Sequence, residues 1–356
     1  MCTRIFNNLN AHFPVTARNM DWAVFMNTYL YRMGSGESRV GLSKQTAKIH
    51  SLPIKNILKW DSLYASISTV VGDDAQGYAT VDGINEKGLV VNALSDSDST
   101  YQSTQAMPED AEIISALRWA QFTLDRFMTV AEAANYFRKC KLVLITENVP
   151  DTAVEKHPAQ LHLCLSDPSG NSAIIELEQG QFIVHESSEY KVATNNPNYD
   201  AQLQINQYWQ FLWGKSPVFN KRPVVSAPGG DSSTQNFARG SYYMSFSEPL
   251  DNIEQSISQT RFIAAACAAP LGFNPYQYSA GQMPHTIWCN VADSSRLEYY
   301  FCESQSMGQM HIDFSDSENE TERVQVTTVK KGMYQPLMAS GNINKKLKAC
   351  SPLFED

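Results

Sequence analysis

Cys2 stands directly behind the initiator Met, in Cys2-Thr3-Arg4. Removal of Met1 would place a thiol and a free α-amine on one residue. The thiol is a strong nucleophile only as thiolate, and an α-amine titrates at about 7.7–8.0 in reference peptides, close to where a general base is most useful. Such a residue carries its own activating base, the logic of enzymes with an N-terminal Thr nucleophile. Downstream, Thr16-Ala17-Arg18-Asn19-Met20-Asp21-Trp22 sets a cation and an anion three residues apart. In a hairpin returning from the first strand both would face the thiol, Arg18 favouring the thiolate and Asp21 fixing the amine through a hydrogen bond. The plainer readings are a small side chain tolerated near the chain start and a surface Arg–Asp pair of little energetic weight.

The order of further segments carries a family resemblance. Cys2-Thr3-Arg4 and the Thr16–Trp22 stretch are followed by Asp82-Gly83-Ile84-Asn85-Glu86-Lys87-Gly88-Leu89, by LHLCLSDPSGNSAIIELE from Leu161 to Glu178, and by Thr194-Asn195-Asn196-Pro197. Thr286-Ile287-Trp288 and Tyr299-Tyr300-Phe301 close the series. From residue 2 to about 314 the chain resembles the choloylglycine hydrolase family, N-terminal-nucleophile hydrolases that include bile salt hydrolases and penicillin V acylases. The resemblance implies an α+β fold, a four-layer αββα sandwich of two antiparallel sheets flanked by helices, in one domain spanning 2–356 with a C-terminal extension from about 315.

It also implies roles for particular residues. Asn195, the first Asn of the Thr-Asn-x-Pro motif, is the side-chain oxyanion donor, although Asn near Pro is also ordinary turn chemistry. The second donor falls on Ser95, where relatives carry Asn or Tyr, so its backbone N–H is the better candidate than its hydroxyl. In Pro228-Gly229-Gly230-Asp231-Ser232-Ser233-Thr234-Gln235-Asn236-Phe237-Ala238-Arg239, Asn236 falls where the family's catalytic-site Arg stands. Arg239 matches the second Arg of the pattern, as a catalytic substitute or a structural ion-pair residue. Trp22, Phe25 and Met26, with Tyr29, are candidates for an apolar acyl pocket, or for plain core.

The elements that must position these residues follow from periodicity. Residues 62–95 alternate as strands. Ala111 to Leu124 has helical spacing, and Thr129-Val130-Ala131-Glu132 forms a capping box for a second helix to about Cys140. Strands are expected at 161–168, 172–178, 181–186 and 190–194, then a Pro- and Gly-rich loop over 214–235, a helical layer over 249–268, and strands at 285–293, 297–302 and 310–314. Residues 315–325 (SDSENETERVQ) read as a solvated acidic loop.

Composition excludes several classes. A net charge of −9 argues against nucleic acid as a partner, and no apolar run approaches the roughly 20 residues of a membrane helix. The seven cysteines are scattered without a Cys-x-x-Cys pair, which reads as one functional thiol among structural ones. His162 and His185 sit in strand-like alternation and read as satisfied, half-buried side chains, so no metal and no cofactor are expected. By resemblance to Gram-negative acylases of similar length, the enzyme is expected in the periplasm after loss of a leader, a cytoplasmic one remaining open, and as a homo-oligomer, a tetramer.

These readings converge on a linear amide hydrolase that transfers the acyl group of a small-molecule N-acyl amide to Cys2. The Arg-x-Met-Asp-Trp stretch resembles the penicillin acylase side of the family, which puts penicillin V or N-acyl-homoserine lactone acylase ahead of conjugated bile salt hydrolase. A reading of another class is a catalytically decayed ligand-binding homologue, marked by Ser95 and Asn236.

Overall fold

The computed structural model describes residues 1–102, 107–218, 220–275, 283–315, 317 and 319–355. The first part of the chain forms β1 (Thr3–Asn7), β2 (Val15–Trp22), β3 (Thr28–Met33), β4 (Ser38–Val40), α1 (Lys44–Ile49), β5 (Lys59–Asp61), β6 (Ser66–Asp73), β7 (Gly77–Asn85) and β8 (Val90–Ser95). There follow β9 (Glu112–Ser115), α2 (Ala116–Arg126), α3 (Val130–Phe137), β10 (Leu142–Ile145), β11 (Leu161–Ser166), β12 (Ser172–Glu178), β13 (Gln181–Glu186) and β14 (Val192–Ala193). The remainder comprises α4 (Tyr199–Leu212), α5 (Ser233–Phe246), α6 (Ile253–Ala265), β15 (His285–Asp293), β16 (Glu298–Glu303), β17 (Gln309–Ile312), β18 (Glu322–Lys330), β19 (Met333–Pro336), β20 (Gly341–Asn342) and β21 (Lys348–Ala349).

Two sheets hold most of these strands. One runs β14-β1-β2-β15-β16-β17-β20 and the other β13-β12-β11-β8-β7-β6-β3-β18-β19, with β21 beside β18. Helices α5 and α6 pack on β1 and β2, while α2 and α3 pack on β7, β8, β12 and β13. The result is the expected αββα sandwich. Because β1 and β2 are covered on both faces, all of Thr3–Asn7 and all but the last residue of Val15–Trp22 are buried. Their sequences accordingly lack the clean alternation of a half-exposed strand.

Four stretches differ from the periodicity reading. Residues 112–115 form a strand rather than the first turn of a helix: Ile113 and Ile114 pair in parallel with Val143 and Leu144, and Ser115 caps α2 by accepting from Leu117 N at 3.2 Å. Helices α4 and α5 are not among the expected elements: α4 has no apolar stripe, burying only Tyr199, Gln202 and Asn206, and α5, which buries Phe237, Ala238 and Met244, begins inside the expected Pro- and Gly-rich loop. Their caps are orthodox, with Asn198 accepting from Ala201 N at 3.0 Å and Ser232 from Gln235 N at 3.4 Å. Glu322–Gln325, expected in a solvated loop, lie in β18, which pairs with β3 and is anchored by Arg32–Glu322 at 2.5 Å. The segment beyond about 315 is thus woven into both sheets through β18, β19, β20 and β21.

The Asp82–Leu89 motif is accounted for by packing. A Cβ on Gly83 would lie 2.6 Å from Ile67 O and 2.7 Å from a methyl of Leu124, so α2 can approach β7 only over a glycine. Asn85 ties the same helix down, donating to Leu124 O at 2.9 Å and Phe127 O at 2.8 Å, and its Oδ1 accepts from Lys87 N and Leu89 N across the turn. Gly88 closes that turn at φ +83°, a conformation costly for any residue with a side chain.

Asp82 reaches into the space between the sheets. It accepts from Tyr299 Oη at 2.7 Å and Asn92 Nδ2 at 2.8 Å. Tyr299 in turn meets Thr69 Oγ1 at 2.8 Å and Asn290, so both sheets share one buried polar network. Burial pushes the Asp82 carboxyl up to about 6, with the Arg18 charge and the hydrogen bonds from Tyr299 and Asn92 pulling the other way. The folded state therefore holds this proton more tightly than the unfolded chain, whose carboxyl titrates near 3.9. The stability contributed by this one group is lost as pH rises from about 4 through about 6, a loss on the order of 3 kcal/mol. Asn92 Oδ1 has no hydrogen-bond partner, so a turned Asn92 amide would accept from an amide at position 82. We expect Asp82→Asn to remove much of the pH dependence of the urea midpoint between pH 4 and 7. Parallel wild-type and variant curves would contradict this.

Candidate active site

Strand register brings the site together. β1 lies between β2 and β14, with Thr3 opposite Asn19 and Arg4 opposite Ala193. Continued one step past Thr3, the same register sets Cys2 abreast of Met20, and continued two steps past Arg4 it sets Cys2 abreast of Asn195. Arg18, two residues before Met20 on the same face, is then the diagonal neighbour of Cys2, within side-chain reach. Its Nη2 lies 3.5 Å from Cys2 Sγ and donates to Ala93 O at 2.8 Å. The guanidinium stacks over Trp288, 4.8 Å from the ring centroid, while its Nε and Nη1 are buried without hydrogen-bond partners.

The expectation that Asp21 faces the thiol alongside Arg18 is corrected: three residues apart on one strand, the two lie on opposite faces of β2. Residue 1 falls abreast of Asp21, and the α-ammonium of Met1 lies 3.0 Å from Asp21 Oδ2. Thr286 Oγ1 donates to Asp21 Oδ1 at 2.5 Å and accepts from Ala269 N at 2.9 Å, fixing the carboxylate from β15. Burial raises the Asp21 carboxyl above its ordinary range, and the terminal ammonium, Thr286 and Arg18 oppose that shift. Cys2 Sγ is 3.9 Å from the Asp21 carbonyl oxygen and its residue is 1% exposed.

Asn195 and Ser95 meet on the other side of Cys2. Asn195 Nδ2 donates to Ser95 O at 2.6 Å. A primary amide has two N–H groups, so one remains. Ser95 is opposite Leu161, whose N–H goes instead to Tyr101 Oη at 3.1 Å, while the next pair is joined by Asp96 N to Gln160 O at 2.9 Å. Antiparallel alternation therefore turns both Ser95 N–H and Ser95 C=O away from β11, to the side where Asn195 sits.

An apolar cleft opens beside the thiol where β7 and β8 part. These strands pair only through Asp82–Asn92, Gly83–Val91 and Ile84–Val90, leaving Ala79–Val81 and Ala93–Ser95 as facing walls. Cys2, Arg18, Trp22, Met26 and Ser95 line it, together with Leu117 and the segments Val149–Pro150 and Pro158–Leu161. About 50 Å³ admits the centre of a water-sized sphere, so the cleft is narrow. Trp22 is pinned across it by Nε1 donating to Asp151 Oδ2 at 2.8 Å.

Two candidates fall elsewhere. Phe25 is not among the residues of this wall: its ring stacks on Tyr334 at 3.9 Å and meets His285 at 5.0 Å. Tyr29 lies with Tyr31, Tyr78 and Arg323. Arg239, read as a catalytic substitute or a structural ion-pair residue, donates to backbone carbonyls and an amide rather than to a carboxylate. Its Nε donates to Ala266 O at 2.7 Å, Nη1 to Pro228 O at 2.7 Å and Gly230 O at 2.8 Å, and Nη2 to Asn236 Oδ1. Every guanidinium nitrogen is thereby committed to holding the 228–230 loop against α5 and α6. The wall residues at 149–150 and 158–161 carry no chemical signature in sequence beyond the flanking Pro150 and Pro158.

Comparison with known proteins identifies the family and the fold. The sequence profile of the linear amide C-N hydrolases, choloylglycine hydrolase family, matches residues 2–323. Penicillin V acylase from Pectobacterium atrosepticum is 32% identical over 99% of this chain and 91% of its own length. The bile salt hydrolase/transferase of Lactiplantibacillus plantarum is 24% identical over 89% of this chain and 95% of its own. Among solved structures, penicillin V acylase from Agrobacterium tumefaciens superposes with TM-score 0.80 at 27% identity, covering 99% of this chain and 98% of the other. A conjugated bile acid hydrolase from Clostridium perfringens shares the fold at TM-score 0.70 and 17% identity, over 91% of this chain and 97% of its own. With the sandwich, the strand register and the profile in agreement, this chain belongs to the choloylglycine hydrolase family of linear amide C-N hydrolases.

Proposed function

We propose that the protein is an N-terminal cysteine amidohydrolase of the penicillin V acylase type, cleaving an N-acyl amide by acyl transfer to Cys2. The observation that carries this reading is the meeting of Arg18, Asn195 and Ser95 around one thiol at the mouth of an apolar cleft. In the intact chain the charged terminus belongs to Met1 and is held by Asp21. Clipping Met1 transfers the free amine to Cys2, with Asp21 as the adjacent carboxylate.

The α-amine then takes the thiol proton, and the thiolate attacks the amide carbonyl. The remaining N–H of Asn195 and the N–H of Ser95 receive the oxyanion. Collapse expels the amine, which leaves with the proton held by the α-ammonium. Water, activated by the same amine, hydrolyses the thioester and frees the acid. Arg18 stabilises the thiolate before attack, and its hydrogen bond to Ala93 O keeps it there.

The cleft supports a slender acyl group. Trp22, Met26 and Leu117 offer apolar contact to a phenoxyacetyl ring or an alkyl chain, worth about 0.8 kcal/mol per buried CH₂. A steroid acyl group would require the 149–161 wall to move. Penicillin V and long-chain N-acyl-homoserine lactones therefore rank ahead of conjugated bile salts.

Cys2→Ala should abolish turnover while leaving the thermal midpoint close to wild type, and Cys2→Ser should retain a trace at most. Turnover by Cys2→Ala would remove the thiol from the mechanism. Iodoacetamide should label wild-type Cys2 faster than an unperturbed thiol, which a decayed binding homologue would not show.

Intact-mass analysis of active protein should show loss of Met1. A variant with a bulky residue inserted between Met1 and Cys2, so that clipping fails, should fold and lose most activity. Full activity in that variant would mean that another group activates the thiol.

Release of free amine from penicillin V or a long-chain acyl-homoserine lactone should exceed release from glycocholate by at least about tenfold in kcat/KM, a difference of about 1.4 kcal/mol. Equal or faster glycocholate cleavage would reverse the ranking.

A further inference from the structure

Asp96, His162 and Glu176 converge away from Cys2, on the face of the second sheet that looks toward the first. His162 is opposite Leu94 on β8, and Asp96 follows two residues later. Glu176 stands opposite His162 one step beyond the Leu163–Ile175 pair. Their donor atoms all lie within 4.8 Å of one another, the only such cluster of three among the described residues. All three residues are 3% exposed or less.

The sequence reading takes His162 as a satisfied half-buried histidine. In the fold it is fully buried, and neither ring nitrogen has a hydrogen-bond partner. Nδ1 is 3.8 Å from Asp96 Oδ2, too long for a hydrogen bond. A proton on the ring would balance charge while leaving its N–H groups unbonded, and buried polar groups without partners are costly. The carboxylates, by contrast, are braced from outside the cluster. Asp96 accepts from Asp98 N at 3.0 Å and Ser99 Oγ at 2.6 Å. Glu176 accepts from Tyr199 N at 2.7 Å, and its Oε2 meets His185 Nε2 at 3.0 Å. Carboxylates oriented by outer hydrogen bonds around an imidazole with a free nitrogen are the supports a bound metal requires. The spacing is one that a single ion with bonds of roughly 2.0–2.4 Å spans after slight contraction.

We propose that Asp96, His162 and Glu176 form a structural site for a divalent transition-metal ion of the Zn²⁺ type. One imidazole and two carboxylates form a mixed N/O set, which suits such an ion better than the all-oxygen set preferred by Ca²⁺. The ion would tie β8, β11 and β12 together. Asp96 adjoins Ser95, and Glu176 holds the N–H of Tyr199 at the start of α4, just past Asn195. Any effect on turnover rests on the function proposed above, whereas binding itself does not.

The test uses the full chain, stripped with chelator and titrated with ZnCl₂, MnCl₂ and CaCl₂ separately by calorimetry. One equivalent of Zn²⁺ per chain, bound more tightly than Ca²⁺ and raising the thermal midpoint by several degrees, is expected. His162→Gln and Asp96→Asn should each weaken Zn²⁺ binding at least tenfold. Because thiols also bind zinc, X-ray absorption on the wild-type complex decides the ligands even if a variant fails to fold. A shell of N and O alone at about 2.0–2.2 Å supports the site, and a sulfur shell near 2.3 Å overturns it. No Zn²⁺ uptake by stripped wild type, or uptake unchanged in a folded His162→Gln protein, also overturns it.

Discussion

The placement of β1 between β2 and β14 governs everything around the thiol. A chain terminus is ordinarily free to fray, yet here the first residues are hydrogen-bonded on both edges and covered on both faces. That register alone ranks the neighbours of residue 2, with Met20 and Asn195 abreast, Arg18 on the diagonal and Asp21 beside residue 1. A slip of one residue would turn Cys2 to the other face. Arg4 resists such a slip. It is fully buried and donates to Tyr190 O at 2.9 Å, Leu165 O at 2.9 Å and Ser172 Oγ at 3.0 Å, bridging to the second sheet two residues from Cys2.

The space between the sheets is unusually rich in charge for a core. Arg4, Arg18, Asp82 and Glu176 all lie within it or at its margin, where isolated charges carry a heavy desolvation penalty. Each is met differently. Arg4 is met by carbonyls and a hydroxyl, Asp82 by Tyr299 and Asn92, and Glu176 by a backbone N–H and an imidazole. Arg18 is the exception. Only one of its nitrogens donates to a carbonyl, and the same nitrogen faces the thiol. Its counter-charges, Asp82 and Asp21, both have carboxyls raised by burial.

Much of this was legible in sequence because local chemistry and global position coincide. Thr129 at the start of α3 and the Cys2/Arg18 spacing each depend on local sequence. What escaped was set by packing at a distance. Helix α4 buries only Tyr199, Gln202 and Asn206, so no apolar period marks it. The Ile113–Ile114 pair reads as helix until β10 supplies a strand partner. Arg239 has the composition of a catalytic cation, and only the carbonyls of Pro228, Gly230 and Ala266, remote from one another in sequence, reveal its other use. His162 alternates like any half-buried strand residue, and its isolation becomes visible only once Asp96 and Glu176 are beside it.

The parting of β7 and β8 separates two jobs along the chain. Cys2, Arg18 and Ser95 stand on or beside strands locked by cross-strand bonding, whereas one side of the cleft is supplied largely by a connecting segment, Val149 to Gln160, that joins β10 to β11. Connecting segments accept insertion and replacement far more readily than paired strands. Descendants of such a chain can therefore reshape this cleft by rewriting a dozen or so loop positions while Cys2, Arg18, Ser95 and Asn195 stay put. A change in the ligand the cleft admits would leave its mark there first, as length and composition changes between two prolines.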